Sequence, residues 1–318
     1  MLIPTQMTGK IVGVLGLGKS GLAAAASLLA AGVNVFMADD HNIPKQLPEG
    51  AHLRPWSQWP WAEIDLMVIS PGIAHAYPEP HPAAKLAANH DVDVVSEIEI
   101  AMLAQPSARI VGITGTNGKS TTTALIGHCL NVAGIPAAVG GNIGDTACEM
   151  DDPGPDGVIV LELSSYQLET TPSLRTDMSV VLNISPDHLD RHGGMDGYVE
   201  AKARILKALD GRGLAILGDG DGHVRGGRWG RTRAPQISGS ILRPSPSPSG
   251  GGAARGPRTR LRHRPSGRTS TPLGGIPEGF CGSARARCGG EGSRSCSSAI
   301  CNVWSTGWGA CVSLVIWI

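Results

Sequence analysis

Short, solid apolar runs recur along the chain at residues 10–15, 33–37, 66–69, 92–95, 157–161 and 178–184. Such runs do not alternate with polar positions, so they read as strands covered on both faces, as in a parallel sheet. Between the first two lies 22–31, an Ala/Leu-rich helix stopped by Gly32. Another strand begins at 109–111. Residues 124–133 then put Leu125, Ile126, Cys129, Leu130 and Ala133 on one helix face, with Gly134 as the stop. Residues 197–209 predict a further helix, in which Tyr198, Ala201, Ile205 and Leu209 form one stripe at about 100° per residue. A last strand is expected at 214–217. Strands that alternate with helices predict an α/β fold. Gln105-Pro106-Ser107 reads as a linker between a first domain, 1–106, and a second, 107–222. Trp56, Trp59 and Trp61, in a proline-interrupted loop, read as packing residues.

Both domains carry a glycine turn between their first strand and first helix. In the first domain it is Gly16-Leu-Gly18-Lys19-Ser20-Gly21, with Asp39-Asp40 about 20 residues further on, a dinucleotide fingerprint with an acid placed for a ribose hydroxyl. Taken alone, that turn suggests an NAD(P)-dependent oxidoreductase. In the second it is G-I-T-G-T-N-G-K-S-T from Gly112. The loop N–H groups and the helix N-terminus there would cradle phosphate, Lys119 would reach the terminal phosphates and Ser120 would ligate Mg²⁺. Gly115, Thr116, Asn117, Gly118, Lys119, Ser120 and Thr121 are the candidate ATP contacts. The spacing departs from the common phosphate-loop pattern, because Gly112 stands six positions before Gly118.

Further candidate chemistry sits where strands end. Ser70-Pro71-Gly72 follows one strand, at the edge where open α/β sheets bind ligands. Glu162 ends another, roughly 40 residues after the phosphate turn, a usual place for an acid on the Mg²⁺ side. Asp187, His188, Asp190, Arg191 and His192 form a polar cluster after a third. Lys207 points away from the apolar stripe of its helix and reads as a solvated charge. Lys202 falls at the edge of that stripe, and two readings stand: it snorkels to solvent, or it turns inward as a neutral amine able to take up CO₂ as a carbamate.

The zero net charge conceals two unlike pieces. Residues 1–222 hold 13 Lys and Arg against 25 Asp and Glu, whereas residues 223–318 hold 14 Arg, no Lys, no Asp and only two Glu. This tail runs through Ser-Pro and Gly repeats with few large apolar residues, so disorder is expected. Cys281, Cys288, Cys296 and Cys301 follow no paired zinc spacing. Cys129 and Cys148 fit buried, reduced positions. No apolar run approaches the roughly 18–20 residues of a membrane span. Met1–Thr8 lacks a signal-peptide core, so a cytoplasmic location is expected.

The phosphate turn, Gly-Gly-Asn142-Ile-Gly, Glu162-Leu-Ser-Ser-Tyr-Gln-Leu-Glu, and Asp-His188-Leu-Asp-Arg with Lys202 occur in collinear order. Together they resemble the Mur ligase family, which adds amino acids to the peptidoglycan precursor, and within it the D-glutamate-adding branch. The resemblance covers about residues 1–222. It implies a Rossmann-like UDP-substrate domain followed by an incomplete, phosphate-loop ATP-binding central domain. On that resemblance Gly18, Lys19 and Ser20 face the uridine diphosphate, Asp40 and His41 lie near its ribose and base, and Ser70, Pro71 and Gly72 near its pyrophosphate. Ser120 and Glu162 would hold one Mg²⁺, and His188 with carbamylated Lys202 a second. Asn142 and His188 would contact the muramoyl-alanine end, and Lys119, His188 and Lys202 would be the catalytic groups. The implied substrates are ATP, D-glutamate and UDP-N-acetylmuramoyl-L-alanine, joined through an acyl phosphate, with no nucleic acid and no membrane as partner.

The resemblance ends near Gly222. The family's remaining central-domain segment and its D-glutamate-binding third domain are not recognisable beyond it, so little ligase turnover is expected of this chain. A tail rich in Arg, Gly, Pro, Ser and Cys but without Lys, Asp or Tyr is what a GC-rich gene gives when read out of frame, and a frameshift is the expected cause. The competing reading of the tail is a non-enzymatic, nucleic-acid-binding basic arm.

Overall fold

The computed structural model describes residues 1–218, 223–224, 298–304 and 311–317. The chain divides into two units, Met1–Ile241 and Leu242–Ile318.

The first unit contains two five-stranded parallel sheets. One is built from β1 (Ile11–Leu15), β2 (Asn34–Ala38), β3 (His52–Leu53), β4 (Leu66–Ile69) and β5 (Asp93–Val95), in the order β3-β2-β1-β4-β5. Helices α1 (Lys19–Ala30), α2 (Pro82–Asn89) and α3 (Glu97–Leu103) belong to the same half. The second sheet is built from β6 (Arg109–Thr114), β7 (Ala137–Gly141), β8 (Val158–Glu162), β9 (Thr176–Val181) and β10 (Leu209–Leu217), in the order β10-β9-β6-β8-β7. It carries α4 (Lys119–Val132), α5 (Ser165–Glu169) and α6 (Met195–Lys207). Every residue of β8 is buried, as expected of a strand with helices on both faces. In each sheet the chain leaves its first strand toward one side and later returns to the other. Ligand crevices in open α/β sheets form at such reversals, at the C-terminal strand ends. Both glycine turns lie there, after β1 and after β6.

The apolar runs became strands, with ends displaced by up to three residues, and the strand expected at 214–217 begins five residues earlier, at Leu209. Larger departures have physical causes. α1 and α4 begin at Lys19 and Lys119, several residues earlier than apolar periodicity indicates, because the glycine turns feed directly into the helices. Gly118, the residue before α4, has φ +82°, a conformation costly for other residues. The buried face of α4 is Thr123, Ile126, Gly127, Cys129 and Leu130; Ala133, expected on that face, is exposed beyond the helix end. Leu209 opens β10 rather than extending the stripe of α6. Several elements were not anticipated, among them α2, α5 and β3, and two others matter here. β7 is the glycine-containing Ala-Ala-Val-Gly-Gly, and α3 begins with Glu97 and Glu99, whose carboxylates are buried. The tryptophans pack as expected: Trp59 and Trp61 are buried, and the Trp59 ring fills the space over Gly13 of β1, 2.3 Å from where a Cβ would stand.

The two halves of this unit are stitched together. Leu2 N–H donates to Cys148 O (3.0 Å), Ser96 N–H to Thr170 O (2.8 Å), and Ser173 N–H to a Glu99 carboxylate oxygen (2.9 Å). Cys129 and Cys148 are both buried.

In the second unit, β11 (Ser298–Trp304) and β12 (Cys311–Trp317) pair antiparallel, with Cys301 opposite Leu314. Apolar periodicity did not announce this ribbon. The expectation of disorder for the rest of 223–318, and the readings placed on Cys281, Cys288 and Cys296, lie outside the described residues.

Candidate functional site: two glycine turns at the strand ends

β6 delivers the second glycine turn. Its last residue, Thr114, is fully buried and donates its hydroxyl to Leu163 O (2.8 Å), which fixes the exit of the strand beside β8. The turn is then braced by the segment after β9. Thr116 N–H donates to Asn183 O (2.9 Å) and Asn117 N–H to the Asn183 side-chain oxygen (2.8 Å). The Thr116 hydroxyl meets Tyr198 Oη at 3.0 Å. Two of the amides expected to face phosphate are therefore spent on holding the loop. Asn183 and Tyr198 do work that the motif alone did not reveal. Lys119 Nζ folds back onto Thr116 O (2.9 Å), and Ser120 and Thr121 are exposed in the first turn of α4. No side chain caps α4, so its positive end remains open to an anion.

Lys202 turns inward. It is 1% exposed, and its Nζ donates to Gly115 O (2.9 Å) and toward Thr114 Oγ1 (3.4 Å), 4.7 Å from the Tyr198 ring centre. Burial, reinforced by the Lys119 charge, pushes its pKa down to about 7. The snorkelling reading fails, because α6 packs this position directly under the phosphate turn.

Glu162 ends β8, also 1% exposed. Its Oε1 accepts from Asn142 Nδ2 (3.0 Å), while Asn142 N–H donates to Glu162 O (2.9 Å). Its other carboxylate oxygen is buried without a hydrogen-bond partner. A buried, half-satisfied carboxylate is costly in isolation and is what a cation ligand looks like before the cation is considered.

His188 stands apart from this group. Its backbone is left-handed (φ +49°), its ring lies 5.4 Å from that of Tyr166, and its Nε2 is 3.6 Å from Asp187. Among the described residues no hydrogen bond joins it to Lys202. A chain of ring contacts runs between them, His188 on Tyr166, Tyr166 stacked on His192, and His192 tilted against Tyr198, whose ring Lys202 faces. His192 itself is buried and bonded on both ring nitrogens, to Glu169 Oε1 (2.9 Å) and to Ser165 Oγ (2.9 Å). That Ser–His–Glu order resembles a nucleophile relay, but Ser165 and His192 are buried, so here it braces α5.

In the first glycine turn, Gly21 packs so closely that a Cβ would stand 1.9 Å from Gly16 O. Ser70 Oγ donates to Gly16 O (2.9 Å), which joins the Ser70-Pro71-Gly72 turn to it. Asp39 organises the neighbouring loop by accepting from Leu17, His41 and Asn42 N–H groups. Asp40, expected near a ribose, accepts from Trp56 Nε1 (2.9 Å) and pairs with His81 Nε2 (2.6 Å). His41 and Gly18 are exposed and Ser20 is half-buried. Lys19 reaches out of the turn, donating to Gly144 O (2.6 Å) with Glu149 at 3.6 Å.

These features define a class: an α/β protein with an anion-holding glycine turn at the C-terminal edge of each of two parallel sheets, and with a buried carboxylate and a buried amine beside the second. Comparison with known proteins agrees. Residues 10–96 match the Mur ligase MurD-like N-terminal domain, and residues 113–226 the Mur ligase middle domain. Over those residues the chain belongs to the Mur ligase family. It is 47% identical over 227 residues to UDP-N-acetylmuramoylalanine--D-glutamate ligase of Paramagnetospirillum magneticum, covering 71% of this chain and 50% of that protein. It is 44% identical over 224 residues to the protein of the same name in Rhodospirillum rubrum, covering 68% and 47%. The chain thus spans about half the length of the curated relatives it matches. A solved ligase from Neisseria meningitides, acting on UDP-N-acetylmuramate and L-alanyl-gamma-D-glutamyl-meso-diaminopimelate, is also similar, with 18% identity and a TM-score of 0.47 over 68% of this chain and 74% of that one. Among the described residues no helix is long and apolar enough to cross a membrane.

Proposed function

We propose that this chain carries the UDP-precursor and ATP sites of a cytoplasmic ligase that joins D-glutamate to UDP-N-acetylmuramoyl-L-alanine in peptidoglycan synthesis. One observation carries the reading. The open N-terminus of α4, the unpartnered oxygen of Glu162 at the end of the neighbouring strand β8, and the amine that α6 turns onto Gly115 O all face one phosphate turn.

The residues fit Mg²⁺ on the ATP side. One carboxylate oxygen of Glu162 awaits a partner, and Ser120 offers a hydroxyl, the sparse protein set that Mg²⁺ uses when phosphates and waters complete its shell. Bound there, Mg²⁺ would neutralise charge on the transferring phosphoryl group. A second ion, expected between His188 and carbamylated Lys202, does not fit this arrangement, because His188 packs on Tyr166 and stands apart from Lys202. A pKa of about 7 leaves much of the Lys202 amine neutral at physiological pH, free to bond to the carbon of CO₂ and release a proton as the carbamate forms.

The chain's own groups then have defined tasks. Lys119 draws negative charge away from the terminal phosphate. Gly18, Ser20, Ser70 and Gly72 orient the diphosphate of the precursor at the first turn. Asn142 and His188 steady its muramoyl-alanine end. The alanine carboxylate oxygen bonds to the γ-phosphorus as the bond to ADP breaks. The D-glutamate amine then attacks the resulting acyl phosphate, forming the amide and releasing phosphate and a proton.

Calorimetric titration of the purified chain tests the reading: MgADP and UDP should each bind saturably. NADH, followed by its fluorescence, should not. Saturable NADH binding with no response to MgADP would instead favour a nicotinamide oxidoreductase built on the first turn.

A further inference from the structure

Arg191 belongs to the polar cluster after β9, yet neither the phosphate turn nor the buried carboxylate uses it. It crosses instead to the other half of the unit. Its Nη1 donates to Gly72 O (3.2 Å) and its Nη2 to Ile73 O (3.1 Å), so one guanidinium holds two successive carbonyls of the turn after β4. The planar fork suits this task, because a single ammonium would serve two carbonyls less well. The guanidinium also lies over the Tyr166 ring, 4.7 Å from its centre. The same ring packs against His188 at 5.4 Å and stacks on His192 at 5.2 Å.

Its electrostatics are unusual as well. Among the described residues no carboxylate pairs with Arg191, and its Nε is buried without a partner. Asp190, Asp187 and Glu169 act on the same Tyr166 ring and offset part of the Arg191 charge without pairing with it. The remaining field falls beside the Ser70-Pro71-Gly72 turn, which in turn is tied to the first glycine turn through Ser70. A second, more exposed bridge runs the opposite way. Lys19 donates to Gly144 O, two residues from Asn142, which holds Glu162.

We propose that Arg191 is a positioning residue that fixes the Ser70-Pro71-Gly72 turn against the His188 segment, and so makes occupancy of the two glycine-turn sites cooperative. This rests on the reading of the first turn as a UDP site and the second as an ATP site. The element that both ligands would order is the junction itself. When Arg191 holds Gly72 and Ile73, the first turn is ordered for a diphosphate and the loop after β9 is ordered for the phosphate turn that Asn183 braces. A ligand at either turn then spares the other part of the ordering cost.

The test is a titration of UDP into the full chain with and without saturating MgADP, for the wild type, Arg191→Met and Arg191→Lys. The wild type should bind UDP at least about 5-fold more tightly when MgADP is present, the lower end of ordinary coupling. Arg191→Met should bring that ratio to about 1 while changing MgADP affinity alone less than about 2-fold, and Arg191→Lys should fall between them. Amide exchange in wild-type residues 70–75, which needs no variant to fold, should slow on adding MgADP. A wild type that binds both ligands without mutual effect overturns the coupling alone. A ratio unchanged in Arg191→Met, or exchange at 70–75 indifferent to MgADP, also overturns it. Failure of the wild type to bind either ligand overturns the underlying reading, and the coupling with it.

Discussion

Replacing Glu97 by glutamine should make this protein markedly less sensitive to alkaline pH. Glu97 opens α3 at 2% exposure, where the first half of the unit meets the 147–149 turn of the second. One carboxylate oxygen accepts the Cys148 N–H; the other is buried with no partner. Burial is the main cause that pushes its pKa up to about 7, from 4.5 when free. The folded protein therefore holds a proton that the unfolded chain releases. The stability this proton provides is complete below about pH 4.5 and is lost as pH rises through 7. At 1.36 kcal/mol per pH unit, the difference amounts to about 3 kcal/mol. In a unit of this size that corresponds to roughly 6–12 °C in melting temperature. Glutamine keeps an oxygen for Cys148 but cannot ionise. The informative quantity is the stability of Glu97→Gln minus that of the wild type, from urea midpoints or thermal scans between pH 4.5 and 8. It should grow by about 3 kcal/mol across that window, whatever its starting value. Titrating groups remote from Glu97 cancel in the subtraction, and its charged neighbours Glu149 and Lys19 are the lesser causes of its shift. A difference constant to within about 0.5 kcal/mol would show that the carboxyl ionises freely in the folded state, and would refute the burial argument.

Three further outcomes are expected. Gly21→Ala places a methyl 1.9 Å from Gly16 O, which only a backbone shift relieves; it should lower stability by about 2 kcal/mol or more and weaken UDP binding, as read by melting curves and calorimetry. Glu162→Gln should leave the fold intact, because Asn142 can still donate to the amide oxygen. It should remove most of the Mg²⁺-dependence of ADP binding, which titrations with and without the metal will show. Lys202→Met removes a buried amine at little cost in packing. A carbamate carbon resonance that appears in the wild type with ¹³C-bicarbonate should vanish in this variant, and its persistence would move the modification to another lysine.

Much of this protein is local in origin. Solid apolar runs, glycine turns and Lys119-Ser120 are neighbours along the chain, so strand, turn and helix N-terminus could be read in order, and with them the phosphate cradle. The positions of Glu162 and Lys202 at strand end and helix face followed from the same periodicities. Sequence periodicity left the direction of Lys202 open, because a long side chain at the edge of a stripe can lie either way; only the packing of α6 beneath Gly115 turns it inward. Tertiary structure also decided that Glu97 and Glu99 are buried, that Asn183 braces the phosphate turn through the Thr116 and Asn117 amides, that Asp40 serves Trp56 and His81, and that Arg191 and Lys19 reach across to the opposite half. Each of these contacts joins residues far apart in the chain. Which polar group finds which partner depends on how two sheets come together, and that choice is made by packing and desolvation after the local elements exist.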